Sequence, residues 1–237
     1  MPKKTKKHHV ETKQNGSSNI RDIILGGQDG LVNVLGLVLG VAGATADIKT
    51  IIIAGLAGTF AESISMAAVA YTSQKAARDF YFKELAREKQ EMRDMPKAER
   101  QEIVDIYRAR GFKGKLLNQV VNKITSNKKV WLETMMREEI KMTPEDYMSP
   151  GWDAFIVGSA SVVGSLIPLV AFFFISSVTI GIYYSLAISA LALFITGALK
   201  AKYTIGDWKR AGIEMMLIGM LSAIASFYVG KAIGVIV

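Results

Sequence analysis

Long apolar stretches constrain this chain more than any other feature, because each is long enough to cross a lipid bilayer. They cover residues 23–46, 51–71, 154–199 and 211–237. One crossing takes about 20 apolar residues. The uncharged stretch from Ala154 to Leu199 therefore predicts two helices joined by a tight turn near residues 176–181. The sequence thus predicts an all-α membrane protein with five transmembrane helices.

Basic residues are distributed very unevenly between the segments that connect these helices. Of 29 Lys and Arg residues, 6 lie in residues 1–21, 17 in residues 75–149 and 4 in residues 200–210. Cytoplasmic loops of membrane proteins carry such an excess of Lys and Arg. The sequence therefore predicts that the N-terminus and residues 75–149 are cytosolic and that the C-terminus is on the far side. The net charge of +8 then reflects topology rather than nucleic-acid binding.

Four segments follow from the composition. Residues 1–19 form a Lys-rich tail that we predict to be disordered, and the role of His8 and His9 within it is open. Residues 20–74 hold the first two transmembrane helices, and residues 150–237 hold the last three. Residues 75–149 are charged, and their apolar residues recur at helical spacing, which predicts a three-helix cytosolic domain inserted between the second and third spans.

Residues typical of helix ends indicate where the helices of this domain begin and end. No Pro or Gly interrupts residues 71–95, so the second membrane helix is expected to continue into the cytosol. Pro96 suits the first turn of a helix, and Gly111 and Gly114 are expected to end that helix. Ser126–Asn127 precedes a further helix, which is expected to end near Met142.

The first apolar stretch carries a carboxylate, Asp29, about two turns inside it. A charge in a membrane helix costs on the order of 2.5–3.5 kcal/mol on insertion scales, so it indicates a use or a partner. Asp29 and Asn33 share a stripe with Gly36 and Gly40 at helical spacing. The alternative is an interfacial Asp beside glycines that only pack against neighbouring helices.

The second apolar stretch also carries polar side chains. Glu62 and Met66 are one turn apart and share a face, so that a carboxylate and a thioether lie side by side. Membrane carboxylates mark ion or proton paths by default. Asp29, Glu62 and Met66, with Asn33 as a neutral oxygen donor, form the predicted transport path.

The charged domain contains grouped carboxylates. Glu88 and Glu91 share a helix face with Glu84, and Glu99 and Glu102 are one turn apart on the next helix. Met135, Met136 and Glu139 follow on the last helix, with Glu138 beside them. Carboxylates bind divalent cations, and thioether sulfur favours transition metals. The alternative is a solvated surface with i, i+4 ion pairs, since Lys and Arg are interleaved throughout.

No feature of the sequence predicts an enzyme. It contains no phosphate-binding loop, and the absence of cysteine excludes CxxC motifs, disulfides and thiolate metal ligands. A di-iron oxidase of helical type would use Glu-x-x-His pairs, and no histidine follows His9.

The motifs resemble those of the vacuolar iron transporter family, which exchanges cytosolic ferrous iron for protons. The motifs are RDIILGGQDGLVNVLGLVLGV, AGLAGTFAESISM, EKQEMRDMPKAERQE, WLETMMREE and IPLV, and the resemblance covers about residues 20–237. It implies a five-span homodimer formed through the first transmembrane helix, with the ion path between subunits. It also implies a three-helix cytosolic metal-binding domain. No permanently bound cofactor is expected, and Fe²⁺ is the substrate.

The resemblance assigns roles to individual residues. Asp29 matches the family's essential acid in the first span, and Met66 matches its methionine in the second. The family's cytosolic metal ligands match Glu88, Glu91, Glu99, Glu102, Met135, Met136 and Glu139.

One position departs from the family pattern. Where related chains carry a glutamate early in the second span, this chain has Gly58. Glu62 lies one turn further along the same helix face, about 5–6 Å away, so we predict that it replaces the missing carboxylate. The competing interpretation is that Glu62 is a structural residue and the family's site is lost.

The sequence leaves other functions open. A manganese exporter of the same architecture fits the same ligands, because Mn²⁺ also accepts oxygen-rich sites. A membrane-anchored metal sensor that does not transport is a further alternative. The choice between a cell membrane and an organelle membrane is also open.

Overall fold

The chain folds entirely into helices over the residues that the computed structural model describes, 15–143, 149–203 and 206–236. The helices are α1 (Asn15–Ala44), α2 (Ile48–Asp94), α3 (Pro96–Ala109), α4 (Gly114–Thr125), α5 (Lys128–Glu138), α6 (Pro150–Phe174), α7 (Val178–Tyr203) and α8 (Trp208–Ile236).

Five of these helices are long and apolar enough to cross a membrane. The candidate spans are Asn19–Ala44, Ile48–Asp94, Pro150–Phe174, Val178–Lys202 and Trp208–Gly234. The prediction of five helices that are long and apolar enough to span is therefore confirmed. The break between α6 and α7 falls at residues 175–177, at the start of the predicted turn.

The contacts divide the chain into two units. The first contains the residues up to Ala70 and from Gly151 onward and is called the five-span unit below; the second, Tyr71–Pro150, is called the intervening unit. Helix α2 contributes to both, and its 47 residues extend for about 70 Å at 1.5 Å per residue. The prediction that the second membrane helix continues past its apolar part without a break is confirmed.

Helix α1 lies at the centre of the five-span unit. Its buried side chains include Leu31, Leu35 and Leu39, each at most 1% exposed. Glycines of α1 allow close packing inside the same chain. A Cβ at Gly30 would collide with Ser161 of α6, and one at Gly40 would lie 3.2 Å from the carbonyl oxygen of Ser226 on α8.

The predicted polar stripe of α1 therefore divides between two neighbours. Asn33 points towards α2, whereas Gly36 packs against Ser226 of α8. Asn33 and Gly36 are three residues apart, a rotation of about 60° short of a full turn, which is enough to face different helices. The glycines thus serve packing within the chain, which was the alternative interpretation for them.

The intervening unit has its own apolar core. It is built around Ile103, Val121, Trp131 and Met135, which are at most 8% exposed. Asn127 caps α5, and its side-chain oxygen accepts from the backbone N–H groups of Lys129 and Val130 at 2.9 and 3.3 Å. Pro96 occupies the first turn of α3, and both helix starts agree with the sequence.

Three boundaries differ from the predictions. Helix α4 occupies residues 114–125, where no helix was predicted, because Gly114 begins a helix instead of only ending one. Helix α5 ends at Glu138 rather than near Met142. Helix α1 begins at Asn15, within the segment assigned to the N-terminal tail. Residues 1–14, with His8 and His9, lie outside the described residues.

Candidate metal-binding sites

Asn33 links two acidic side chains on different helices of the five-span unit. Its side-chain nitrogen donates to Asp29 Oδ2 at 3.2 Å and to Glu62 Oε1 at 3.0 Å. The carboxyl groups of Asp29 and Glu62 are also within hydrogen-bonding reach of each other. Sequence reasoning grouped these three residues, and the structure brings them together.

The helices place this group well inside the apolar spans. Asp29 follows the first residue of its candidate span, Asn19, by ten residues, or about 15 Å. Glu62 follows the start of α2 at Ile48 by fourteen residues, or about 21 Å. A hydrocarbon core is about 30 Å thick, so both carboxylates lie at least 9 Å from either surface of a bilayer that begins at these residues.

The group is open to one side of the bundle. Asn33 is exposed, and Asp29 and Glu62 are only partly buried. Leu37, one turn beyond Asn33, is 41% exposed, and Phe60 on α2 is 64% exposed. The polar group is therefore located on the outer surface of the single chain rather than in its sealed interior.

Met66 and Gly58 lie on α2, one turn to either side of Glu62. Met66 is partly buried, as is Glu62, and the two share a helix face at i, i+4 spacing. The space beside Gly58 is filled by a methyl group of Leu37. Gly58 therefore does not leave an open gap near Glu62.

Carboxylates from three helices form a second group, in the intervening unit. Helix α2 contributes Glu88 and Glu91, α3 contributes Glu99 and Glu102, and Glu139 follows the end of α5. The negative charges of these side chains act on one another, and hydrogen bonds join Glu88 to Glu99 and Glu102 to Glu139. The structure therefore brings together all five glutamates that the sequence singled out.

Two of these carboxylates are buried and incompletely paired. Glu88 is 1% exposed and Glu99 is 3% exposed. In each, the oxygen Oε2 is buried and has no hydrogen-bond partner. Buried polar atoms almost always have partners, so these oxygens have capacity for a ligand. In the described part of the chain, no three acidic or histidine side chains yet converge closely enough to hold a metal ion.

The environment of this group favours protonated carboxyls. Burial raises the pKa of Glu139 to about 7, and the negative charge of Glu102, a hydrogen bond with Glu102 and the charge of Glu99 add to the effect. Burial also raises the pKa of Glu99, as do the charges of Glu102 and Glu91. A cation would relieve this repulsion, because it stabilises the ionised forms.

The two methionines of α5 lie in different surroundings. Met135 is 0% exposed and belongs to the apolar core with Ile103 and Trp131. Met136 is 3% exposed and lines a cavity of about 910 Å³. Packing therefore already occupies Met135, whereas Met136 borders open space.

Sequence reasoning missed one basic residue in the acidic group. The guanidinium of Arg87 pairs with Glu84 and Glu91 at 2.7 and 3.5 Å. Glu84 is 7% exposed and was noted in the sequence without a role. The i, i+3 and i, i+4 spacing of Glu84, Arg87 and Glu91 is the signal that points to this arrangement.

Carboxylates inside apolar spans, beside a thioether, are typical of polytopic membrane proteins that move ions. Comparison with known proteins places the chain within this class. The sequence profile of the VIT family matches residues 20–231, and the chain belongs to this family.

Several members of the family are clearly similar over nearly the whole chain. Vacuolar iron transporter 1 of Tulipa gesneriana is 32% identical over 225 residues, which cover 95% of this chain and 91% of the relative. Vacuolar iron transporter 1 of Arabidopsis thaliana is 32% identical, with 95% and 90% covered. Vacuolar iron transporter of Plasmodium falciparum is 31% identical, with 94% and 85% covered. The family resemblance inferred from the motifs is confirmed, and the family is one of metal-ion transporters.

Proposed function

We propose that this protein moves ferrous iron out of the cytosol in exchange for protons. Asp29, Glu62 and Met66 bind the ion within the membrane, and Asn33 holds the two carboxylates together. The names of the relatives support iron as the substrate. The carboxylates support the exchange, because a ligand carboxylate must lose its proton to bind metal, which couples the two ions.

The observation that carries this proposal is the contact of Asn33 with both Asp29 and Glu62. It supports the idea that Glu62 takes the place of the carboxylate missing at Gly58. Two carboxylates give an oxygen-rich site that suits Fe²⁺ and Mn²⁺, and the thioether of Met66 favours the transition metal over Mg²⁺ or Ca²⁺.

The second part of the proposal concerns the intervening unit. Its five glutamates, with Met135 and Met136, gather ferrous iron from the cytosol for the membrane path. The unpartnered oxygens of Glu88 and Glu99 support this role. Replacing the five glutamates with Gln should lower the number of metal ions bound per full-length chain. Equal metal counts for this variant and the wild type would reject the role.

The direction of transport follows from the proposed topology, with the intervening unit in the cytosol and the C-terminus on the far side. The distribution of Lys and Arg supports it. Fusing a reporter that is active on one face only to Lys113 and to Val237 tests this topology. Opposite sides are expected, and the same side for both fusions would overturn it.

We further propose a homodimer in which the face around Asn33 meets a second copy. An exposed amide and two partly exposed carboxylates would otherwise face hydrocarbon, and Asn33 supplies only one donor to each carboxylate. Exposing charged or incompletely hydrogen-bonded groups to hydrocarbon is unfavourable. A second copy would cover the group and add ligands from its own α1. Crosslinking through a cysteine introduced at Leu37 tests this contact, since the chain has no other cysteine.

Two other functions fit parts of the same arrangement. A manganese exporter is favoured if the carboxylates contribute more than Met66 to the ion selectivity of the site. A membrane-anchored sensor would bind metal in the intervening unit without transport. Uptake into proteoliposomes with a pH-sensitive dye inside distinguishes them. Iron transport predicts Fe²⁺ uptake with outward proton movement, manganese export predicts a preference for Mn²⁺, and a sensor predicts no flux.

A further inference from the structure

Arg87 makes ion pairs with three carboxylates of the intervening unit at once. Its nitrogen Nη1 lies 2.7 Å from Glu84 Oε2, Nε lies 3.5 Å from Glu91 Oε2, and Nη2 lies 3.8 Å from Glu88 Oε1. Each nitrogen of the planar guanidinium is therefore directed at a different acid, which is a geometry that a lysine cannot reproduce.

The influence of Arg87 extends beyond its own helix. Its positive charge opposes the rise in the pKa of Glu99 on α3 and of Glu139 after α5. Arg87 also opposes the rise in the pKa of Glu88. Its charge thus acts on carboxylates of α2, of α3 and at the end of α5.

Glu84, the nearest ion-pair partner of Arg87, differs from Glu88 and Glu91 because it is not one of the proposed metal ligands. Glu84 is the closest acid, and its side chain is 9% exposed. It precedes Glu88 by about one turn and Glu91 by about two turns. The side chain of Arg87 is 51% exposed, so it has room to move.

We propose that Arg87 competes with the metal ion for Glu88 and Glu91. Glu84 limits this competition by forming an ion pair with Arg87. In the metal-free unit, Arg87 neutralises Glu88 and Glu91. When a divalent cation binds these glutamates, the guanidinium withdraws onto Glu84. The pair of Arg87 and Glu84 therefore sets the concentration of metal ion at which the site in the intervening unit becomes occupied. This inference rests on the proposed role of the glutamates as metal ligands.

The physical basis is charge competition without proton transfer. Arginine stays charged at any physiological pH, so the metal must displace it rather than wait for it to lose a proton. A positive charge a few Å from a divalent cation weakens binding by about three- to tenfold in a half-exposed, screened site. The buried, unpartnered oxygens of Glu88 and Glu99 are the positions that gain a partner when the metal arrives.

Two neighbouring substitutions should change metal affinity in opposite directions. Arg87→Gln removes the competitor and should tighten Mn²⁺ binding by about three- to tenfold. Glu84→Gln frees Arg87 to pair more strongly with Glu88 and Glu91, and should weaken binding by about two- to fivefold. The measurement is titration with Mn²⁺ of the full-length protein in detergent, so that the membrane site contributes equally to every variant.

The double variant separates this inference from a simpler one. If Glu84 acts only through Arg87, Glu84→Gln has no effect on Mn²⁺ affinity once Arg87 is Gln. If Glu84 is itself a ligand, Glu84→Gln weakens binding in both backgrounds, which overturns the inference. Arg87→Lys keeps the positive charge but loses the planar guanidinium with its several donors. The Mn²⁺ affinity of this variant should lie between those of the wild type and Arg87→Gln.

Arg93→Gln is the matched control, because it removes the same charge from an exposed position in the last turn of the same helix. It should change affinity by less than about twofold. Unchanged or weaker binding in both Arg87→Gln and Arg87→Lys would contradict the inference while leaving the metal site intact. A wild type that binds no more Mn²⁺ than the five-glutamate Gln variant would instead reject the proposed site, and this inference with it.

Discussion

The side-chain amide of Asn33 spans the gap between Asp29 on α1 and Glu62 on α2, with its nitrogen 3.2 Å from one carboxylate and 3.0 Å from the other. One neutral donor thereby holds two negative groups from helices that are only joined by a short turn at residues 45–47. The amide has no charge of its own, so it can release either carboxylate to a cation without an ionic penalty.

We predict that Asn33→Leu lowers iron flux at least several-fold while the protein still assembles. Leucine keeps a similar size but cannot donate to Asp29 or Glu62, so the two carboxylates separate by mutual repulsion. Flux into proteoliposomes is the measurement, and Asn19→Leu, which removes an amide from the start of the same span, is the control. Wild-type flux in Asn33→Leu would show that the bridge has no role in transport.

The replacement of the missing glutamate by Glu62 makes a second prediction. Glu62→Gln should lose proton-coupled flux, because the amide is nearly isosteric but carries no charge and no exchangeable acid proton. Adding Gly58→Glu to this variant should restore part of the flux. The new side chain must first displace the methyl group of Leu37, which is the end of a flexible side chain, so the recovery is expected to be incomplete. Normal flux with intact proton coupling in Glu62→Gln would refute the replacement.

Met66 is predicted to affect the choice of ion rather than the rate alone. Met66→Leu preserves an apolar side chain of similar volume and removes the thioether one turn from Glu62. Fe²⁺ and Co²⁺ uptake should fall more than Mn²⁺ uptake, because sulfur binds softer ions more strongly. Competition between these ions in the same liposomes is the measurement, and an equal loss for all three would argue that Met66 only packs.

Metal binding by the intervening unit should depend on pH in the range where Glu139 titrates. Because the pKa of Glu139 is about 7, its carboxyl is mostly protonated at pH 6, and a metal ion must displace that proton. Deprotonation of Glu139 alone should therefore raise affinity by about fivefold from pH 6 to pH 7, and the rise should level off above pH 8. Glu139→Gln should remove this part of the rise and leave the part due to Glu88, because burial also raises the pKa of Glu88 to about 7. Affinity that is independent of pH between 6 and 8 in the wild type would contradict the prediction.

Much of the fold could be predicted because the relevant signals are local. The lengths of the apolar stretches indicated five spans, and Pro96 and Asn127 marked helix starts by their own chemistry. Helix α4 was missed because Gly111 and Gly114, both at positive φ, looked like the end of one helix and hid the start of another.

The candidate sites were only partly predictable, since they depend on contacts between helices. Spacing placed Glu62 and Met66 on one face, but it gave no indication that Asn33 would donate to two acids across α1 and α2. Arg87 was also missed. A basic residue among glutamates at helical spacing usually indicates a solvated surface, and spacing does not show which surfaces are buried. Burial of Glu84, Glu88 and Glu99 distinguishes this case, and burial is decided by neighbours distant in sequence.

Proton-coupled iron flux through Asp29→Asn tests the central claim most directly. Asparagine keeps the size of the side chain and removes its charge, so the protein should assemble as before while the site loses one of its two anions. In proteoliposomes loaded with a pH-sensitive dye, we expect the wild type to take up Fe²⁺ and move protons outward, and the variant to do neither. Wild-type iron uptake and proton movement by Asp29→Asn would contradict the account.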